Sequence, residues 1–220
     1  MPTDFQSELT QQRNEMVDAQ LRRRGIHDER VLRAMEIVPR HEFVPWQLQR
    51  EAYQDSPVPI GEGQTISQPY IVAHMLEALR LSPEDRVLEV GTGTGYEAAV
   101  MSRIVREVYT IERFPSLAEA AKKIFDRLGY TNIHVVIGDG SRGYADAAPY
   151  DAIIVAAAAP RVPDALVEQL KDGGRAIVPV GEADLQQLRL ISKNDGAVQR
   201  QTLDACRFVP LVGEEGYAER

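Results

Sequence analysis

Residues 87–95 read V-L-E-V-G-T-G-T-G, and a second apolar run, Val108-Tyr109-Thr110-Ile111-Glu112, ends on an acid seventeen residues after Gly95. A short apolar strand that stops at three glycines spaced two apart constrains this chain more than any other feature. Glycine allows a sharp turn with positive φ and lets a ligand lie directly against the backbone. An acid at the tip of the next strand can accept hydrogen bonds from both hydroxyls of a ribose. Together these features predict a site for an adenosine-bearing group at the carboxyl ends of two adjacent parallel strands.

The rest of the chain supplies a sheet for that site. Apolar runs at 86–90, 107–111, 133–137, 151–156 and 175–180 alternate with helical patterns, and β-rich segments at 187–192 and 206–211 close the chain. Near-continuous apolar strands separated by helices mean a mostly parallel, doubly wound sheet covered on both faces. Right-handed crossovers then bring the Gly91, Glu112 and Asp139 ends to one edge. Before the sheet, residues 14–38 read as two helices broken at Gly25, with Val31, Leu32, Met35 and Val38 in a helical stripe. The first ~12 residues are polar and are expected to fray. Residues 53–68 form a long stretch of turn formers, the kind of loop that is often functional. Pro69 suits the first turn of a helix carrying Ile71, Val72, Met75, Leu76 and Leu79. A helix is expected from Pro115 to Gly129, and another through Leu166 and Leu170 to Gly173-Gly174. The expected organisation is one domain over 1–220, with N-terminal helices and a substrate loop in 1–80 and the cofactor-binding core in 81–220.

Composition narrows the function. With 25 basic and 33 acidic residues the net charge is −8, which disfavours nonspecific binding to nucleic acid or anionic membranes. The run Arg22-Arg23-Arg24 reads as a solvated helix end. No apolar stretch approaches the ~20 residues that span a bilayer, and the acidic, polar start does not read as a signal peptide. A lone cysteine, Cys206, excludes an internal disulfide and reads as a small hydrophobe in an apolar strand. His27, His41, His74 and His134 lack metal-ligand spacing, so no metal is expected. A cytoplasmic protein follows, and the absence of an exposed apolar helix points to a monomer.

Several residues are candidates for chemistry, each with a structural alternative. Glu89, just before the glycines, either faces a ligand ammonium group or caps a neighbouring amide. Thr92 and Thr94 offer hydroxyls or simply turn. Glu112 suits a ribose. In Gly138-Asp139-Gly140 the acid suits an adenine amino group, or the segment is a plain turn. Ser67 fits an N-terminal helix boundary before Pro69; His74 reads as a packed helical residue. The dinucleotide fingerprint G-x-G-x-x-G/A has its third small residue where this chain has Tyr96, so the G-x-G-x-G form instead suits S-adenosylmethionine, which has no pyrophosphate to cradle. No Ser-His-acid order supports a hydrolase, and no hydride-site His or Lys pattern supports an NAD-dependent oxidoreductase.

From about Met16 to Gly213 the chain resembles the bacterial protein-L-isoaspartate (D-aspartate) O-methyltransferases. The resemblance rests on Q-T-I-S-Q-P at 64–69, V-L-E-V-G-T-G-T-G-Y at 87–96, G-D-G at 138–140 and Y-D-A-I-I-V-A-A-A-A-P at 150–160. It continues in Q-L-K-D-G-G-R at 169–175, P-V-G at 179–181 and F-V-P-L at 208–211. The glycine loop is common to all class I methyltransferases; the 64–69 and 150–181 segments are more specific. The resemblance implies a Rossmann-like class I methyltransferase fold with an N-terminal helical addition, and S-adenosylmethionine as methyl donor. It implies catalysis at Ser67 and cofactor contacts from Thr65, Gly91, Thr92, Gly93, Gly95, Glu112, Asp139 and Gly140; Glu89 joins the expected cofactor contacts on its place before the glycines. The implied reaction methylates the free α-carboxyl of isoaspartyl residues in aged proteins, which are the partners expected. Many relatives carry Thr at Ala156 and Trp near Tyr144, both expected near the cleft. The alternatives are a class I methyltransferase acting on a small-molecule carboxylate or amine, and a cofactor-binding module without catalysis.

Overall fold

The computed structural model describes residues 2–182 and 185–219. Helix α1 (Pro2–Glu15) runs without a break into a π turn, Met16–Leu21, and a 3₁₀ turn that stops at Gly25 in the left-handed region (φ 99°). The expected fraying is not seen from Phe5 onward; Met1 lies outside the described residues. Leu9 is fully buried and Phe5 packs on the core, while i,i+4 hydrogen bonds such as Gln11 to Glu15 lace the polar side. Helix α2 (Glu29–Ile37) starts at Asp28, whose carboxylate accepts from the Arg30 N–H, and buries Val31, Leu32, Ala34 and Met35.

The 53–68 segment is not an irregular loop. It contains a hairpin of strands β1 (Val58–Gly61) and β2 (Gln64–Ile66), with Gly61, Glu62 and Gly63 all at positive φ in the turn. Two prolines and two turn glycines hid the short strands. Helix α3 (Pro69–Leu79) follows. Its N-cap is Gln68, with no side-chain cap, so Ser67 does not cap it.

Strands β3 (Arg86–Val90), β4 (Glu107–Glu112), β5 (Ile133–Ile137), β6 (Tyr150–Val155), β7 (Leu170–Glu182), β8 (Leu185–Asn194) and β9 (Ala197–Cys206) make one sheet of order 5-4-3-6-7-8-9. The first five in that order are parallel, and β8 and β9 are antiparallel additions. Alternate residues feed two cores. Val87, Val108 and Ile154 meet the N-terminal helices, α3, α4 (Tyr96–Met101) and α5 (Pro115–Leu128). Leu88, Val90, Ile153 and Val155 face α6 (Asp164–Glu168), short 3₁₀ turns and the C-terminal segment. The expected doubly wound, mostly parallel sheet is present, with one face more heavily helical than the other.

Two C-terminal expectations fail. The helix through Leu166 and Leu170 ends at Glu168, and Leu170-Lys171-Asp172-Gly173-Gly174 already belongs to β7, where Leu170 pairs with Tyr150. The 206–211 strand is instead the end of β9 plus an extended segment bridged to Ala158. Strand β9 is polar and mostly exposed at the sheet edge, so it carries no apolar signal. Cys206 is half-buried there, and burial pushes its thiol up to about 11, consistent with an inert small hydrophobe.

Candidate active site

Strand β3 lies between β4 and β6, the point where the strand order reverses, and its carboxyl end opens a cleft. The cleft holds a cavity of about 130 Å³ and opens to solvent at its mouth. The glycine loop forms its floor. Gly91, Gly93 and Gly95 have φ of 99°, 53° and 87°, a region that side chains adopt at a cost. At Gly95 a Cβ would also drive into the Phe125 ring, with Cε1 at 2.7 Å and Cζ nearer still. Gly140 is closed differently: Val90 and Ile111 side chains fill the space beside its backbone.

Glu112 reaches across from β4 to the loop. Its Oε2 accepts from the Gly93 N–H at 2.9 Å and its Oε1 from the Phe114 N–H at 3.0 Å. The carboxylate is thus fixed at the cleft wall with lone pairs to spare for hydroxyl donors.

Glu89 is fully buried at the end of β3. Thr92 and Thr110 form a hydroxyl relay toward it: their Oγ1 atoms are 2.6 Å apart, and Thr110 donates to Glu89 Oε2. Glu89 lines the cleft, and its buried Oε1 has no hydrogen-bond partner. Glu97, on the first turn of α4, is in the same position: nine-tenths buried, on the cleft, with an unpartnered Oε1. Burial, and then the neighbouring Glu97, push the Glu89 carboxyl well above the usual range. Burial alone pushes Glu97 up to about 8.

The β1–β2 hairpin roofs the cleft. A Cβ placed on Gly93 would touch Ile60 of the hairpin at 3.4 Å, and Glu62 at the hairpin tip accepts from Ser116 Oγ on α5 at 2.8 Å. Thr65 and Ser67 line the cleft from this side, opposite the glycine loop. Ser67 is fixed through its backbone: fully buried Arg40 donates from Nη2 to the Ser67 carbonyl and from Nε to that of Ala52, each at 2.7 Å. Ala156 completes the wall against Gly91, and Val209–Val212 close the far side.

Two expected residues sit differently. Asp139 does not line this cleft. Its Oδ1 accepts from the Ser141 N–H and Oγ at 2.9 and 2.7 Å, and its Oδ2 from the Glu214 N–H at 2.8 Å. Burial opposes the charge, but these donors outweigh it and hold the carboxyl below its usual value. Tyr144 also lies away from the cleft, 6.1 Å from the Tyr109 ring on the opposite side of the sheet edge. The C-terminal tail is ordered: Asp139 and Ser141 bind its backbone, and Glu215 accepts from the Asp164 N–H at the start of α6. His74 stacks on Tyr70 and pairs with Asp204 on β9, as a packed helical histidine should.

The glycine loop, Glu112 and the hairpin residues Thr65 and Ser67 line one cleft at the carboxyl end of β3. The sequence profile of the protein-L-isoaspartate(D-aspartate) O-methyltransferases matches residues 11–216. The chain belongs to that family. A Koribacter versatilis protein named protein-L-isoaspartate O-methyltransferase is 56% identical over 206 residues, covering 94% of this chain and 93% of its own. A Pelotomaculum thermopropionicum protein of the same name is 57% identical over 207 residues, covering 94% and 90%. A Plasmodium falciparum structure assigned to this family, holding S-adenosyl-L-homocysteine, has a TM-score of 0.80 at 28% identity over 91% of this chain and 98% of its own.

For a protein-L-isoaspartate O-methyltransferase, the cleft contains more than its motifs announce. Glu97, Arg40 and Phe114 escaped the sequence reading, and 209–211 entered it only as part of a resemblance segment, without a place in the cleft. Glu97 follows the glycine loop directly and could have been found as an acid at a helix start. Arg40 had no signal, because its burial depends on contacts with segments 12 and 27 residues away. Among the described residues no cluster of three or more His, Cys, Asp or Glu could hold a metal, and no helix is long and apolar enough to cross a membrane.

Proposed function

We infer that this chain is an S-adenosylmethionine-dependent carboxyl methyltransferase acting on L-isoaspartyl residues of damaged proteins and peptides. The observation that carries this reading is the family match across 11–216, which includes the glycine loop and the Ser67 segment. The cleft suits the cofactor: positive-φ glycines admit close backbone contact, Glu112 offers acceptors to a ribose, and two buried acids lack donors.

When bound, S-adenosylmethionine supplies an electrophilic methyl group on a positively charged sulfur. The chain's own residues would do the rest. Gly91, Thr92, Gly93, Gly95 and Gly140 would shape the cofactor surface, with Thr65, Glu89 and Glu112 as polar contacts. Asp139 belongs to the cofactor contacts on motif grounds, acting through the Gly140 turn that it caps. Ser67 would aim the acceptor carboxylate by a hydrogen bond. An α-carboxyl titrates at roughly 3.3–3.7 and is ionised at neutral pH, so no general base is required. Orientation is the main contribution, and proximity alone can lower a barrier by ~7–11 kcal/mol. With the ligands in place the β1–β2 hairpin would cover the reacting groups on one side, favouring a step in which opposite charges cancel. The backbone amide nitrogen then attacks the methyl ester and expels methanol, closing a succinimide without help from the protein, and hydrolysis returns part of it to normal aspartate.

The single-domain organisation, the monomeric state, the absence of nucleic-acid partners and the cytoplasmic location belong to the same proposal. The acidic balance and the lone, half-buried cysteine support it. Transfer of label from S-adenosylmethionine to an isoaspartyl peptide, and not to its aspartyl twin, tests the function. Base-labile label on the isoaspartyl peptide alone is expected; label on neither peptide would redirect the reading to small-molecule acceptors.

A further inference from the structure

The cofactor reading leaves Glu97 without a task, and it is the least comfortable side chain in the cleft. Glu89 and Glu97 both line the space, both are at least nine-tenths buried, and each has an Oε1 with no hydrogen-bond donor. The groups around the pair offer little compensation. From β4 come the Thr110 hydroxyl and the Glu112 carboxylate, from the glycine loop Thr92, from α4 the backbone N–H of Ala98, which lowers the Glu89 carboxyl less than burial raises it, and from α3 the apolar Val72. The cations of the cleft wall point elsewhere: Arg40 binds two carbonyls through Nε and Nη2 and lies over the Tyr96 ring, with its Nη1 unpartnered, and Arg113 binds Glu219 and lies over the Phe114 ring. Among the described residues no Lys, Arg or His offsets the charge of either acid.

Two buried carboxyls beside each other without a cation cannot both ionise. The missing partner must therefore bring both charge and N–H donors. A sulfonium brings charge but no donor. An ammonium group brings charge and three donors, enough for both orphaned oxygens.

Resting on the cofactor assignment, we propose that Glu97 joins Glu89 in a paired-carboxyl seat for the ammonium group of the methyl donor. Burial keeps the pair protonated in the free protein, and a proton passes to bulk solvent when the cation binds. Loading of the cofactor is thus linked to pH, and Glu97 selects for the amino-acid end of the ligand over the adenosine end. The upward titration of both acids agrees with this account.

The test is calorimetric titration of the intact protein at pH 7 in phosphate and in Tris, buffers with very different ionisation enthalpies. S-adenosylhomocysteine, which keeps the ammonium group, is expected to release at least about half a proton, with affinity rising up to about tenfold per pH unit. 5′-Methylthioadenosine, which lacks the amino-acid end, is expected to bind with equal enthalpy in both buffers. In Glu97→Gln the proton release should vanish and S-adenosylhomocysteine affinity should fall while methylthioadenosine affinity holds. The wild-type comparison stands even if that variant fails to fold. Binding of both ligands with no buffer dependence would overturn the paired seat and leave the cofactor reading intact. Binding of neither ligand would overturn the cofactor reading itself, and the seat with it.

Discussion

Arg40 Nη2 donates to the carbonyl oxygen of Ser67 at 2.7 Å, so a fully buried cation holds the backbone of the residue assigned to the acceptor carboxylate. The same guanidinium holds Ala52 and lies 4.7 Å from the Tyr96 ring centroid, joining the hairpin segment to the helix after the glycine loop. Arg40→Met would leave two carbonyls without donors, at about 1–3 kcal/mol each. A lower melting temperature and a lower kcat are expected, with KM for the cofactor changed far less. Arg40→Lys, with one compact donor group, should recover part of the stability and little of the rate. Thermal denaturation alongside steady-state kinetics separates the two.

Ser67→Ala removes the hydroxyl assigned to the acceptor carboxylate and leaves the Arg40 contact, which uses the backbone, untouched. A hydrogen bond to a charged group contributes about 1.5–3 kcal/mol, or roughly ten- to a hundredfold in rate. That loss should fall on methyl transfer, with S-adenosylhomocysteine binding unchanged by calorimetry. Equal loss of cofactor affinity would remove Ser67 from the acceptor side.

Glu112 secures both the Gly93 and the Phe114 N–H groups. Glu112→Ala should loosen the glycine loop and remove the ribose acceptors together, weakening S-adenosylhomocysteine by more than tenfold. Glu112→Gln keeps one acceptor oxygen and should lie between. Affinities measured on the three proteins in one buffer would decide the order.

Gly95→Ala combines a positive φ with a clash against Phe125. Overpacking and strain of this kind cost about 1–3 kcal/mol each. The pair Gly95→Ala, Phe125→Leu should regain part of the stability, because the second change makes room. Urea denaturation of the single and double variants reads the coupling.

The two cleft acids also set a pH dependence in the free protein. Their carboxyls titrate higher when folded, Glu97 at about 8, so the folded chain holds these protons more tightly than the unfolded one. Their contribution is complete below the ordinary glutamate range and is lost as pH rises through the folded values. The reverse holds for Asp28, Asp139 and Asp151, which are depressed and lose their contribution on acidification. The free protein should therefore melt earlier at about pH 8.5 than at about pH 6. Glu97→Gln should flatten that decline.

The parallel core was legible because buried strands and glycine turns leave local signals. Val87-Leu88-Glu89-Val90 alternates between two cores, and positive φ at Gly91, Gly93 and Gly95 requires the residue type that marks it. The hairpin at 58–66 was hidden by its own turn formers, and β9 by an edge position that needs no apolar side chains. Leu170 fits a helical stripe locally, yet it pairs with Tyr150, a contact settled by tertiary structure. Asp139 shows the limit for site residues: the motif marks the position, and only the fold reveals that its oxygens already hold Ser141 and the tail.

That tail has a consequence for how the protein comes into being. Val209–Val212 form a wall of the cleft, and the segment is held by bonds from Leu211 to Ala158 and from Tyr217 to Leu211. A chain emerging from the ribosome can pair β3, β4 and β6 long before that wall exists. The methyl-donor site is thus among the last parts of the molecule to be completed, and a nascent chain halted before residue 209 would carry the glycine loop on an open ledge.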